Sequence, residues 1–123
     1  MVWQEDESFR KWIEKSDSDM KIAKYNLDGS MLDAAVFFAQ QSAEKAFKAI
    51  LIKKSSQFPK IHDLIELAKL AGAPSEIIKL CSLINPVYTA IRYPDNGGVY
   101  SAEECNKIVE FAEEVLKWVK KNL

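Results

Sequence analysis

Arg92, one of only two arginines in the chain, lies in the stretch Thr89-Ala-Ile-Arg-Tyr-Pro-Asp-Asn-Gly-Gly-Val-Tyr100. A guanidinium presents a planar fork of donors that matches phosphate oxygens, and Tyr88, Tyr93 and Tyr100 supply rings on which a base can stack. The alternative is structural: a cation closing a helix satisfies its last carbonyls and covers a neighbouring ring. His62 is the sole histidine, so any acid or base step through imidazole must use it. Its structural alternative is to order, with Asp63, the start of a helix. Brought together by the fold, the two residues would suit metal-independent RNA cleavage. His62 would move the 2′-hydroxyl proton and Arg92 would steady the charge on phosphorus.

Local charge points the same way. Residues 44–60 hold five lysines against the single Glu44, whereas residues 95–114 hold six acids against the single Lys107. Such asymmetry suits a phosphate-bearing ligand, opposed faces in an oligomer, or simply solvated helix faces. A Gly-rich phosphate loop, HExxH, a Cys/His ligand set, a nucleophile elbow and the Gly-Ser with paired aspartates of a nucleotidyltransferase are all missing from the sequence. Neither a cofactor nor a metal is therefore expected.

The 123 residues, 48% of them hydrophobic, predict a single domain spanning 1–123, and a formal charge of -1 gives no global basic field. Cys81 and Cys105 fall inside amphipathic segments without ligand spacing, as buried free thiols do, which fits a reducing cytoplasm. The charged opening MVWQEDESFRKW lacks an apolar signal core, and no apolar run approaches the roughly 18 residues of a membrane span. A cytoplasmic protein away from the membrane is the expectation.

The elements that must position these residues read as helices. Phe9, Trp12, Ile13, Met20, Ala23 and Leu27 recur at threes and fours after a candidate cap at Ser8 to a stop at Asp28-Gly29-Ser30; the Ser16-Asp17-Ser18-Asp19 run has poor helix propensity, but the register continues through it, favouring one solvated helix over two. From Met31 to about Lys54, alanines 35, 39, 43 and 46 share a side with Ile50, predicting a central helix approached closely by its neighbours. Gln41, Glu44, Lys45 and Lys48 fall on the opposite side, facing water or a partner. Asp63-Leu-Ile-Glu66 resembles a capping box opening a short helix to Ala71-Gly72. A fourth begins at Pro74, kinks near Asn85-Pro86 and runs on to Arg92. After a turn at Asp95–Gly98, the box Ser101-Ala-Glu-Glu104 opens a last helix with Cys105, Ile108, Ala112, Val115, Leu116 and Val119 on one stripe. The fold class is all-α, an antiparallel bundle of four to five helices.

The strings DAAVFFAQQSAEKAFKAIL (33–51), PKIHDL (59–64) and IRYP (91–94) resemble the HEPN domain family. The resemblance implies a homodimeric bundle that binds a nucleotide or RNA phosphate around Arg92, Tyr93, Tyr88 and the Gln41, Glu44, Lys45 and Lys48 face. It also implies a nucleotidyltransferase partner in a toxin-antitoxin or defence-type pair. Ribonuclease members carry an Arg followed, after four to six residues, by a His, but here Gly97, Gly98 and Val99 occupy those positions. Enzymatic activity is therefore not expected on that motif. The two rival readings are a ribonuclease using His62 with Arg92, and an interaction module presenting Phe37, Phe38 and the alanine-lined helix.

Overall fold

The structure, a computed structural model, describes residues 3–55, 60–92 and 100–123, without the side chains of 3–7, 89, 91 and 92. Helices α1 (Trp3–Asp28) and α2 (Leu32–Ser55) form a hairpin, followed by α3 (Leu64–Leu70), α4 (Ser75–Ile84), α5 (Val87–Arg92) and α6 (Ala102–Asn122). The predicted turn at 95–98 and the break at 56–59 lie outside the described residues. Asn85 keeps helical dihedrals (φ -50, ψ -43) between α4 and α5, and its amide donates to the Cys81 carbonyl at 2.9 Å. The two segments thus follow one path interrupted at Pro86, which lacks the N–H needed for an unbroken ladder. Counted so, the six segments among the described residues make five rods, within the four to five that the pattern predicts.

Helix α2 is the centre, packed chiefly on α1 and α6 and also on α3 and α5. Ala35, Ala39, Ala43 and Ala46 are fully buried, as are Ala112, Val115 and Val119 of α6; side chains this short let helix axes approach closely. Cys81 and Cys105 are buried free thiols, and burial pushes the Cys81 thiol up to about 12.

Helix ends follow their local chemistry. Ser101 and Glu104 form the full reciprocal box at the start of α6. At α3 the Asp63 side chain accepts from the Ile65 and Glu66 amides, a cap carried by Asp63. Gly72 (φ 75) closes α3, with the Ala73 amide bonding the Ala68 carbonyl at 2.9 Å. The same motif closes α1, but there Ser30, not Gly29, takes the left-handed conformation (φ 61).

Two expectations for α1 fail. The helix begins before Ser8, which lies in its interior and is not its cap. The Ser16–Asp19 run does not break α1, as the continuing register predicts, but it is not solvated throughout, because Ser16 and Asp19 are fully buried against α2. Ser16 Oγ donates to the Ser42 carbonyl at 2.7 Å and Ser42 Oγ returns a bond to the Ser16 carbonyl at 2.8 Å. One turn on, Lys45 of α2 donates to Asp19, while the other Asp19 oxygen has Lys15 at 3.5 Å and no hydrogen bond. Small hydroxyls let the two backbones meet, and the acid beside them then requires a cation from across the seam.

This predicts unequal costs for two ion pairs. Asp19→Ala strands Lys45 at the seam and should cost about 3 kcal/mol. Lys24→Ala, which breaks the exposed pair with Glu113, should cost below about 1 kcal/mol. Urea unfolding followed by circular dichroism measures both.

Candidate functional site

Gln40, Glu44 and Lys48 recur every four residues on α2 and so stand in one column. All three are buried, Glu44 at 4% exposure and Lys48 at 8%. The expectation that Glu44 and Lys48 face water or a partner is therefore wrong: Trp12 of α1 lies against Lys48 and His62, ahead of α3, against Glu44. Lys48 Nζ donates to Glu44 Oε2 at 2.7 Å, and Gln40 Nε2 donates to Glu44 Oε1 at 3.2 Å. Gln41 donates to Gln40 at 2.7 Å, and Lys45, the remaining candidate on this face, points instead to Asp19. Above the column, Lys48 Nζ sits 5.7 Å from the centre of the Trp12 ring, a cation–π contact.

His62, on the connection into α3, completes the cluster. Its Nδ1 lies 3.2 and 3.1 Å from the two Glu44 oxygens. Its ring stacks on Tyr88 of α5, with centroids 4.7 Å apart and planes at 17°. Its predicted alternative role at the start of α3 belongs to Asp63 and Asn85, whose side chains accept from the first amides of that helix. Arg92 ends α5 one helical turn after Tyr88, but its side chain and the whole of Tyr93 lie outside the described residues. Of the candidates from sequence, the fold brings Glu44, Lys48, His62 and Tyr88 together, with Gln41 at the margin, and sends Lys45 elsewhere.

Burial pushes the Glu44 carboxyl up, but the bonds from Lys48, Gln40 and His62 outweigh it and hold the group below its ordinary 4.5. Glu44 is therefore an anion at neutral pH and only accepts hydrogen bonds. His62 Nδ1 must then donate, which leaves Nε2 as the ring atom available to a ligand or proton. The His62 side chain is 51% exposed while that of Glu44 is 5% exposed, so the imidazole is oriented from beneath and open above. A buried carboxylate behind a half-open imidazole is an arrangement that can bind an anion or move a proton.

Sequence reasoning missed Gln40, Trp12 and Asn85. Gln40 was detectable as the first rung of the four-residue column. Trp12 meets Lys48 from α1, and the Asn85 side chain bonds Asp63 and the Leu64 amide at the start of α3; for such distant partners spacing along the chain carries no signal. Phe37, which the interaction-module reading presents to a partner, is half-buried and meets Phe38 in an edge-to-face contact with ring centroids 5.2 Å apart. The two charged stretches do not cover one another in the pairs described: Glu113 pairs with Lys24 of α1, and Lys54 donates to the Ala71 carbonyl at 2.8 Å.

The family model of the HEPN domain matches residues 9–122. The chain belongs to the HEPN family. Among solved structures, TT1696 from Thermus thermophilus superposes with a TM-score of 0.84 at 24% identity, covering 94% of this chain and 98% of that one. At that identity the likeness shows the fold alone. ST0689, an archaeal HEPN homologue, gives a TM-score of 0.79 at 28% identity over 93% of this chain and 96% of its own. No match to a curated protein was found. Within the HEPN bundle the column on α2, His62 and Tyr88 of α5 converge.

Because the folded Glu44 pKa is lowered, its contribution to stability is complete above its unfolded value near 4.5 and is lost as pH falls through the folded value. Glu44→Gln removes that contribution. It should lower stability at pH 7 by about 3 kcal/mol by leaving Lys48 without its counter-charge, and flatten the loss between neutral and acid pH. Urea midpoints across that range test both signs.

Proposed function

We propose that this HEPN protein binds the phosphate of a nucleotide or RNA at the open side of the His62–Tyr88 pair. The observation that carries the reading is the His62 ring held between the buried Glu44 carboxylate and Tyr88, one helical turn from Arg92. Lys48 is occupied by Glu44, so the donors offered to phosphate are His62 and, from its place in the sequence, Arg92. Tyr88 and the His62 ring add an aromatic surface suited to a base. A homodimer and a nucleotidyltransferase partner, in a toxin-antitoxin or defence-type pair in the cytoplasm, rest on the sequence resemblance and form part of the same proposal.

One observation favours a second reading, metal-independent RNA cleavage. The bond from His62 Nδ1 to Glu44 fixes the imidazole as a carboxylate-oriented base, the pairing that hydrolytic sites use to set tautomer and direction. His62 and Arg92 would then act together without the Arg-to-His spacing of the ribonuclease members.

Calorimetric titration of ATP and of short single-stranded RNA separates these readings. Wild type should bind, and His62→Ala and Arg92→Ala should each weaken binding by about tenfold or more, the worth of one charge-assisted hydrogen bond. Equal binding by all three proteins removes the site. Incubation with RNA in chelator, with His62→Ala as control, should show a loss of about 100-fold in that variant if the imidazole is the base. Identical background rates end the second reading.

A further inference from the structure

We propose that Asn85 is the positioning residue of this site, its carboxamide clamping the Asp63–Leu64 segment to the α4–α5 junction and so setting the His62 ring against Tyr88. The importance given to the His62 ring rests on the functional reading above; the clamp itself does not.

The Asn85 side chain uses both ends. Its Oδ1 accepts from the Leu64 amide at 2.9 Å, and its Nδ2 donates to Asp63 Oδ1, also at 2.9 Å. Only one orientation of the carboxamide satisfies both, since a backbone N–H only donates and an ionised carboxylate only accepts. Asp63 is held below its ordinary 3.8, first by the Asn85 bond. The same Asp63 oxygen accepts from the Ile65 amide at 2.9 Å, so the cap of α3 and the clamp share one atom. The Leu64 amide is one of the orphan donors of a helix start, and Asn85 satisfies it.

The consequence reaches the site through very short stretches of chain. His62 precedes Asp63 directly, and Tyr88 follows Asn85 by less than one helical turn, its amide donating to the Asn85 carbonyl at 3.2 Å. Residues 60–63 have no helical ladder of their own. The clamp therefore ties the unladdered segment carrying one ring to the start of the helix carrying the other. Pro86 serves the same geometry, because it interrupts the α4–α5 ladder next to the residue whose side chain reaches across.

The single histidine makes the test direct, since its ring protons need no assignment among several. In the full chain, stacking on Tyr88 displaces the His62 ring resonances, and Tyr88→Leu calibrates the displacement. Asn85→Ala, with helical content checked by circular dichroism, should move those resonances most of the way to the Tyr88→Leu positions and weaken ATP binding by about tenfold. Resonances that stay at wild-type positions overturn the proposal, because a residue that only capped α3 would leave them there. Should Asn85→Ala fail to fold, Asn85→Asp keeps the acceptor for Leu64 but sets a carboxylate against Asp63. It should displace the resonances, and adding Asp63→Asn should restore them; no displacement by Asn85→Asp, or no restoration in the double variant, also overturns the clamp. If the resonances follow this pattern while ATP binds none of the proteins, wild type included, the clamp stands and the phosphate-binding reading falls.

Discussion

A single carboxylate, that of Glu44, imposes the arrangement of the site. Burying an isolated charge of this kind costs several kcal/mol even after relaxation, so it persists only where donors surround it. Gln40 and Lys48 come from its own helix and are supplied by a four-residue spacing. The remaining donor comes from outside, and His62 provides it from the connection into α3. The hold on the imidazole from beneath thus follows from the needs of one buried anion.

The central helix carries two different surfaces for two different tasks. Its alanines let α6 and α1 approach and supply the tight packing of the core. Its polar column would be a liability in such a place without partners. The seam with α1 turns the same problem into register: the paired serines and the Asp19–Lys45 contact match only at one alignment of the two helices. Breaking any one partner leaves a buried polar group unmatched, which costs more than the intact pair contributes. The α1–α2 hairpin then acts as the floor on which the imidazole is mounted.

What could be read along the chain was what depends on near neighbours. The alanine stripe of α2, the reciprocal box at Ser101 and Glu104, the interruption at Asn85-Pro86 and the apolar stripe of α6 are local patterns, and each stands in the fold where the residues indicate. The polar residues were misread for a definite reason. Ser16, Asp19, Glu44 and Lys48 are types that ordinarily face water, and only partners far along the chain, 26 residues away for Ser16 and Asp19, 18 for Glu44 and at Trp12 for Lys48, reveal that they do not. The Asn85 clamp spans 21 and 22 residues and has no signature in spacing at all. Of the candidate ligands, His62 and Tyr88 are brought face to face, whereas Lys45 was drawn into the α1 seam by a buried acid that sequence reading had placed in solvent.

The site turns on the direction of one hydrogen bond, from His62 Nδ1 to the Glu44 carboxylate. Nitrogen-15 spectroscopy of the histidine ring, at a pH where the imidazole is neutral, reads that direction from the tautomer. The expected result is the Nδ1–H form, with Nε2 unprotonated, and its conversion to the ordinary mixture when Glu44 is replaced by Gln. A ring found in the Nε2–H form in the wild-type protein would contradict this, because the buried carboxylate would then not be the group that orients His62.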